Sequence, residues 1–263
     1  MLAEPERTPY DLRFRVLGFP VRVHPWFWVG MMLFGSQTLN DGPEYLLIWV
    51  AVAFVSILVH ELGHALAFRR FGADSDIILY AFGGLAVPTH DISGRWRRII
   101  VSLAGPFAGF ALCGLVYATN LAFEWGQTPT GRAPNGKEMR FLYEKLIWVN
   151  LYWGLFNLLP VFPLDGGQVS RELCVMKWGT RGKRISLKIS FVIALVMVAY
   201  ALLCEIDTGQ FGAKFTAAWP AWVPLGSIFT AILFGCLAYE SYRLLQRVEW
   251  TDTHWDNKAP WER

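Results

Sequence analysis

Val59-His60-Glu61-Leu62-Gly63-His64-Ala65 lies inside a long apolar segment. In an α-helix, residues four apart share a face, so His60 and His64 can bind one metal ion from the same side. Glu61 lies beside them, where its carboxylate can act on a metal-bound water. H-E-x-x-H on a helix is the pattern of zinc hydrolases. The alternative, two core histidines satisfied by hydrogen bonds, leaves Glu61 unexplained.

The segment around this motif is apolar from Tyr45 to Phe68. Its 24 residues exceed the roughly 20 that a helix needs to cross a bilayer. Two histidines and a glutamate at membrane depth are costly unless they have partners. The segment therefore predicts a functional site on a membrane helix.

A zinc site of this kind needs a third protein ligand. Ala67 and Arg70 occupy the places of the Gly and the third His in H-E-x-x-H-x-x-G-x-x-H, which excludes that class. A thermolysin-like site would use a downstream Glu, and the next one is Glu124, at the end of a later apolar run. The better candidate is Asp165, in the stretch Asn-Leu-Leu-Pro-Val-Phe-Pro-Leu-Asp-Gly-Gly over residues 157–167.

At this point the chain resembles the site-2 proteases, the intramembrane zinc metalloproteases of peptidase family M50. H-E-L-G-H followed by N-x-x-P-x-x-P-L-D-G-G is the paired signature of that family, both motifs are complete, and the resemblance covers residues 45–168. It implies that His60, His64 and Asp165 bind one zinc ion per chain. It also implies that Glu61 is the catalytic base.

A looser element of that family, a Gly-Pro on the intervening helix, matches Gly105 and Pro106. Many members carry an Asn three residues after this Pro, where the present chain has Gly109. Gly105 and Gly109 form a small-x-x-x-small face, which predicts close packing against the motif helix. About 100 residues separate His64 from Asp165, too few for a PDZ domain as well as a loop and a helix. We therefore expect a minimal family member, without a PDZ or CBS domain.

The composition agrees with a membrane protein, because 54% of residues are hydrophobic and 17% are charged. We predict an all-α polytopic fold in a single domain over residues 1–263, with a catalytic core at 45–168 and a polar tail at 249–263. Six transmembrane helices are expected, at about residues 24–36, 45–68, 97–125, 143–160, 189–204 and 222–245. Residues 171–188 are strongly basic and are expected to precede the fifth helix.

The distribution of charge predicts the orientation. The N-terminus, residues 69–98, residues 171–188 and the C-terminal segment from Arg243 hold 19 of the 24 Lys and Arg residues. The positive-inside rule places these regions in the cytosol. We therefore expect a multi-pass protein of the plasma (inner) membrane, with both termini and the access to the active site cytosolic. The net charge of +3 is small, and no nucleic-acid partner is expected.

Two segments alternate between apolar and polar residues, as strands do. Residues 12–23 predict a short β-hairpin at the membrane surface. Residues 74–91 break at Gly83 and Gly84, which predicts a small membrane-associated β-hairpin or re-entrant loop beside the active site. Its edge could pair with an unwound substrate by strand addition, although an ordinary connecting turn is the alternative.

Three further residues have open roles. Asn157 either orients substrate and the developing oxyanion or satisfies carbonyls freed by Pro160, and we count it with Gly83 and Gly84 as a candidate substrate-binding residue. His90, in a polar loop, is a weaker candidate for the third metal ligand. His24 is interpreted as an interfacial residue rather than a ligand.

The resemblance implies cleavage of peptide bonds within or near the transmembrane segment of a single-pass membrane protein, inside the lipid bilayer. A membrane-held transcriptional regulator is one substrate of that class. The alternative is a catalytically silent membrane binding protein, against which the intact motif residues argue. A zinc transporter would spread its ligands through the bundle, and a di-iron membrane enzyme would need more than the five histidines present.

Overall fold

The architecture comes from a computed structural model, which describes residues 6–81, 83–126, 136–206 and 228–256. It is mostly helical with one small β-sheet. The strands are β1 Leu12–Val16, β2 Phe19–Val23, β3 Ser75–Tyr80 and β4 Gly83–Pro88. The helices are α1 Pro25–Phe34, α2 Pro43–Arg70, α3 Arg95–Phe123, α4 Lys137–Asn157, α5 Asp165–Trp178, α6 Arg181–Ile206 and α7 Ile228–Asp256, with a 3-10 turn at Ser36–Asn40.

Three helices are long and apolar enough to cross a membrane within the described residues: α2, α3 and the part Arg181–Leu203 of α6. Helix α1 is apolar but has only 10 residues. The first and last turns of α2 show why it begins and ends where it does, since Pro43 and Glu44 suit a helix start and Arg69 and Arg70 suit a helix end. The prediction of six membrane spans is not confirmed, and residues 222–227 of the sixth lie outside the described residues.

The chain forms two compact units, Met1–Asn157 and Leu158–Arg263. In the first unit, β1 and β2 form the predicted hairpin, and β3 and β4 form the second. Parallel pairing of β2 with β3 joins the two hairpins into one sheet in the order β1-β2-β3-β4. The sequence did not predict this joining.

One face of this sheet forms the core of the first unit together with α2. Val21, Val23, Ile77 and Leu79 are buried and belong to the same apolar cluster as Ile57 of α2. Burying these aliphatic side chains removes apolar surface from water and fixes the sheet against the helix that carries the histidines. The hairpin β3–β4 is thereby held beside the motif.

His24 lies at the junction between the sheet and α1. It is buried and caps α1, because its Nδ1 accepts a hydrogen bond of 3.3 Å from the backbone N–H of Trp26. Its own N–H continues the sheet by donating to the Leu79 carbonyl at 2.9 Å. His24 therefore caps a helix, and its position at the membrane interface stays a prediction.

The second unit contains α5, α6 and α7, with α6 packed against both of the others. The basic region 171–188 precedes the fifth membrane span in the prediction, but in the structure it belongs to two helices. α5 occupies its first part, and α6 already begins at Arg181. The difference arises because α5 is too polar to register as an apolar run, and because a long helix can carry its basic residues beyond the hydrocarbon layer.

Candidate active site

His60 and His64 lie one turn apart on α2, as the motif predicts. Both side chains are buried, with 4% and 7% of their surface exposed. Their rings meet edge to face, and the two Nε2 atoms are 3.2 Å apart. The structure therefore brings together the ring nitrogens that the sequence assigned to a metal ion.

A hydrogen bond at Nδ1 of His64 determines which nitrogen of its ring carries the proton. Nδ1 lies 2.8 Å from the backbone carbonyl oxygen of Val101 on α3. Because a carbonyl only accepts hydrogen bonds, Nδ1 carries the proton and Nε2 keeps its lone pair. His64 is thus held in the tautomer that a metal ligand needs.

The separation of the two Nε2 atoms fits a shared zinc ion. Two nitrogens bound tetrahedrally at about 2.0–2.1 Å from zinc are about 3.3–3.4 Å apart, against 3.2 Å in the structure. The same separation suits an N–H···N hydrogen bond from a protonated His60 Nε2, which a bound ion would replace. The residues therefore fit the metal that the motif implies.

Glycines make room around this pair. A Cβ on Gly105 would overlap His64 Nε2 and lie 2.8 Å from His60 Nε2. A Cβ on Gly63 would overlap the Ala104 carbonyl, so α3 approaches the backbone of α2 closely at this level. Gly105 therefore packs as the small-residue pattern predicted. Gly109 faces α4 instead, since its Cβ would lie 3.4 Å from the Asn150 carbonyl.

Glu61 is buried, with 5% of its surface exposed, and is covered by the start of β4. A Cβ on Gly84 would overlap Glu61 Cγ and lie 2.6 Å from Oε1. Position 84 has no room for a side chain, because the strand passes directly over the Glu61 carboxylate. Burial and the Glu61 charge both raise the pKa of nearby Tyr80, which keeps its phenol neutral. The predicted hairpin thus lies against the predicted base.

Gly83 begins β4 and faces α4. Its φ of +140° favours glycine, and a Cβ there would lie 3.1 Å from Cζ2 of Trp153. No local pattern in the sequence indicates Trp153 as a neighbour of this strand, because 70 residues separate it from Gly83. β4 is the last strand of the sheet in the described part of this unit, so its outer edge carries backbone groups that β3 does not use.

Asn157 is the last residue of α4. Its Nδ2 donates to the Trp153 carbonyl at 2.8 Å, so the amide satisfies a carbonyl near the helix end. The bond lies within α4, and both roles that the sequence left open for Asn157, substrate binding and satisfying the carbonyls freed by Pro160, stay predictions. His90 is exposed and contacts Thr89, with 3.2 Å between Nδ1 and Oγ1.

Asp165 opens α5 in the second unit. The backbone before it is tightly coiled: the Phe162–Pro163 peptide is cis, and the Phe162 N–H donates to Ser190 Oγ at 2.7 Å. Gly167 permits this coil, because a Cβ there would lie 2.6 Å from the Phe162 nitrogen. The coil places the Asp165 carboxylate in the first helical turn, where the helix dipole stabilises a negative charge.

His60 and His64 offer two imidazole nitrogens in the first unit, and Asp165 offers a carboxylate oxygen in the second, and zinc accepts both types of ligand. A match to the model of peptidase family M50 extends over residues 48–136 and 126–204. The chain belongs to peptidase family M50. The match spans both motifs, and membership confirms the family that those motifs indicated.

Relatives of this M50 chain are named zinc metalloproteases. One from Methanocaldococcus jannaschii is 27% identical over 74% of this chain and 55% of its own length. Putative zinc metalloproteases from Synechocystis sp. and Mycobacterium tuberculosis are 31% and 28% identical, over 65% and 77% of this chain and 45% and 54% of their own lengths. The chain therefore spans about half the length of these curated relatives.

The fold of this M50 chain is also found in a solved structure. The site-2 protease from Methanocaldococcus jannaschii matches with a TM-score of 0.58 at 23% identity, covering 89% of this chain and 94% of that one. The two proteins share a fold. The apolar helices and the family together indicate a membrane protein.

Proposed function

We propose that this chain is an intramembrane zinc metalloendopeptidase, which cleaves peptide bonds within or near transmembrane segments of other proteins. The observation that carries the proposal is the arrangement on α2. His60 and His64 are buried, and their Nε2 atoms are 3.2 Å apart. Glu61 is also buried and lies next to them under the edge strand β4. Membership in a family whose relatives are named zinc metalloproteases supports the same reaction.

His60, His64 and Asp165 would hold one zinc ion, leaving one position open, as a catalytic site requires. Zinc bound there would lower the pKa of a water ligand towards about 7 and polarise the scissile carbonyl. Glu61 takes the proton of the attacking water and donates it to the leaving amine. The strand over Glu61 shields its carboxylate from bulk water.

The edge of β4 is the surface that we assign to the substrate. A transmembrane helix keeps its backbone groups bonded to one another, so it must unwind before a peptide bond can be attacked. An extended segment can recover those hydrogen bonds by pairing with the outer edge of β4. Gly83 and Gly84 lie at the start of that strand, and Asn157 would contact the same segment. The substrate would be a single-pass membrane protein, such as a membrane-held transcriptional regulator.

The proposed setting is the plasma (inner) membrane. The three long apolar helices α2, α3 and α6 support insertion in a bilayer. The charge distribution supports six spans, both termini in the cytosol and access to the site from that side. The lipid bilayer is then both the solvent of these helices and the place where substrate arrives.

Zinc content and cleavage, measured together, test the proposal. Wild type, Glu61→Gln and Asp165→Ala would be purified in detergent, zinc measured by mass spectrometry, and cleavage followed on a panel of single-pass segments. We expect about one zinc per chain in wild type and Glu61→Gln, and reduced zinc in Asp165→Ala. Loss of the general base should lower kcat by about 10²–10⁴.

Each variant tests a different role. Full zinc and activity in Asp165→Ala would remove it from the ligand set and favour His90. Cleavage at wild-type rates by Glu61→Gln would contradict the mechanism. Zinc binding without cleavage of any segment by wild type would instead indicate a catalytically silent binding protein.

A further inference from the structure

Trp153 and Glu61 lie on opposite faces of β4 at its start. The missing side chain of Gly84 would point at Glu61, and that of Gly83 would point at the indole of Trp153, 3.1 Å from Cζ2 and 3.5 Å from Cη2. Consecutive residues of a strand face opposite ways. The strand is therefore enclosed by the base on one face and by an aromatic ring on the other.

The indole is held in place from two directions, and a further hydrogen bond reaches the backbone of the same residue. It packs against the apolar core of the sheet and α2, and its ring is stacked on Phe156 with 6.2 Å between centroids and 19° between planes. The Trp153 carbonyl accepts the Asn157 side-chain amide at 2.8 Å. The ring is nevertheless only half-buried. It is a fixed apolar surface that another group can still touch.

A peptide that pairs with the outer edge of β4 continues the same alternation. The residue opposite Gly84 directs its side chain to the Glu61 face, and the residue opposite Gly83 directs its side chain to the Trp153 face. Because Gly83 has no side chain, the indole occupies the space beside that second position. A small substrate side chain fits there, whereas a large one meets the ring.

We propose that Trp153 is a specificity-determining residue, which limits one substrate position next to the cleavage site to small side chains such as Gly, Ala or Ser. The inference rests on the proposed function and names the substrate class of that same site. Of these residues Gly weakens a helix most, so a segment with Gly at this position also adopts the extended form most readily.

The test compares size selectivity between matched tryptophan variants. Full-length wild type, Trp153→Ala, Trp153→Phe and Trp148→Ala, all loaded with zinc, would cleave one single-pass segment in which each position near the cut is changed to Ala, Leu or Phe. Trp148 is the control, since it is also half-buried on α4 but contacts Trp49 and Tyr152 instead. The readout is the ratio of kcat/KM for Ala over Phe at each position.

We expect one position at which wild type favours Ala over Phe by about 10–100-fold, as a pocket of fixed size does. Trp153→Ala should bring this ratio close to one, Trp153→Phe should give an intermediate ratio, and Trp148→Ala should keep the wild-type ratio. A loss of packing alone would slow all segments equally.

Unchanged ratios in active Trp153→Ala or Trp153→Phe would overturn the inference. If Trp153→Ala does not fold, the ratio for Trp153→Phe decides alone. Failure of the proposed function looks different, because wild type would then cleave no segment at all, and the inference would fall with it.

Discussion

Gly105 stands in front of the two histidine rings, where a Cβ would overlap His64 Nε2 and lie 2.8 Å from His60 Nε2. We expect Gly105→Ala to remove zinc binding and to lower cleavage by about 100-fold or more, because the methyl group occupies the space in which both ligands meet the ion. Zinc content of the purified protein is the measurement.

Gly114→Ala is the control for this change. Gly114 lies on the same helix, and nothing surrounds the position that its Cβ would take. Alanine is the better helix former, so this variant should keep its zinc and fold at least as well as wild type. A full complement of zinc in Gly105→Ala would show that the ion does not sit between the two Nε2 atoms.

At the scale of single residues, the sequence predicts what one helix can place. His60, Glu61 and His64 lie within five residues, so helical geometry alone brings them to one face. The carbonyl of Val101 that orients His64 comes from 37 residues away. A backbone acceptor leaves no trace in residue type, so such a partner emerges only from the packing of α3 on α2.

Helix α1 and the hairpin β3–β4 are coupled through Gly30. A Cβ on Gly30 would overlap the carbonyl of Ala81, in the turn between the two strands. We expect Gly30→Leu to displace this turn and with it the strand over Glu61. Cleavage should fall by up to about 100-fold, as misplacement of a substrate-positioning group by about 1 Å can do. Zinc content should stay at the wild-type level, because the two histidines are held by their own helix and by the carbonyl of Val101 on α3.

The partially exposed Val29, next along the same helix, supplies the matched control. Val29→Leu adds bulk to α1 at an exposed position, so both zinc and cleavage should be kept. If Val29→Leu lost as much activity as Gly30→Leu, then any added volume on α1 would be harmful. The contact between Gly30 and the hairpin would then not explain the effect.

At the scale of elements, apolar runs and alternation located α2, α3 and both hairpins because these signals are local. The parallel pairing of β2 with β3 was not predictable in the same way, since it joins segments separated by α1 and α2. Helix α5 was missed for another reason. It carries polar and basic residues along its length, so it lacks the continuous apolar run that indicates a membrane span.

At the scale of the whole molecule, composition indicates a membrane protein, and the described residues contain three helices long and apolar enough to span a bilayer. The orientation is a property of the entire chain, because it depends on where the Lys and Arg residues fall. Of the 24, only Arg132, Lys137, Arg140, Lys145 and Lys214 lie outside the four regions assigned to the cytosol. The opposite orientation would place these 19 basic residues outside the cytosol, which the positive-inside rule disfavours.

Reporter fusions test this orientation. A reporter active only outside the cytosol should give a signal when inserted near Arg132, and none when inserted near Thr180 or joined to the C-terminus. A reporter active only in the cytosol should give the reverse, which guards against loss of signal through degradation. Asp165 begins α5 and Thr180 follows its end. Because α5 is not among the candidate spans, both residues should lie on the same side. Opposite signals near Arg132 and Thr180 would support a membrane span between them. Equal signals would place Asp165 and His60 on opposite sides of the membrane, which would contradict a zinc site shared by the two residues.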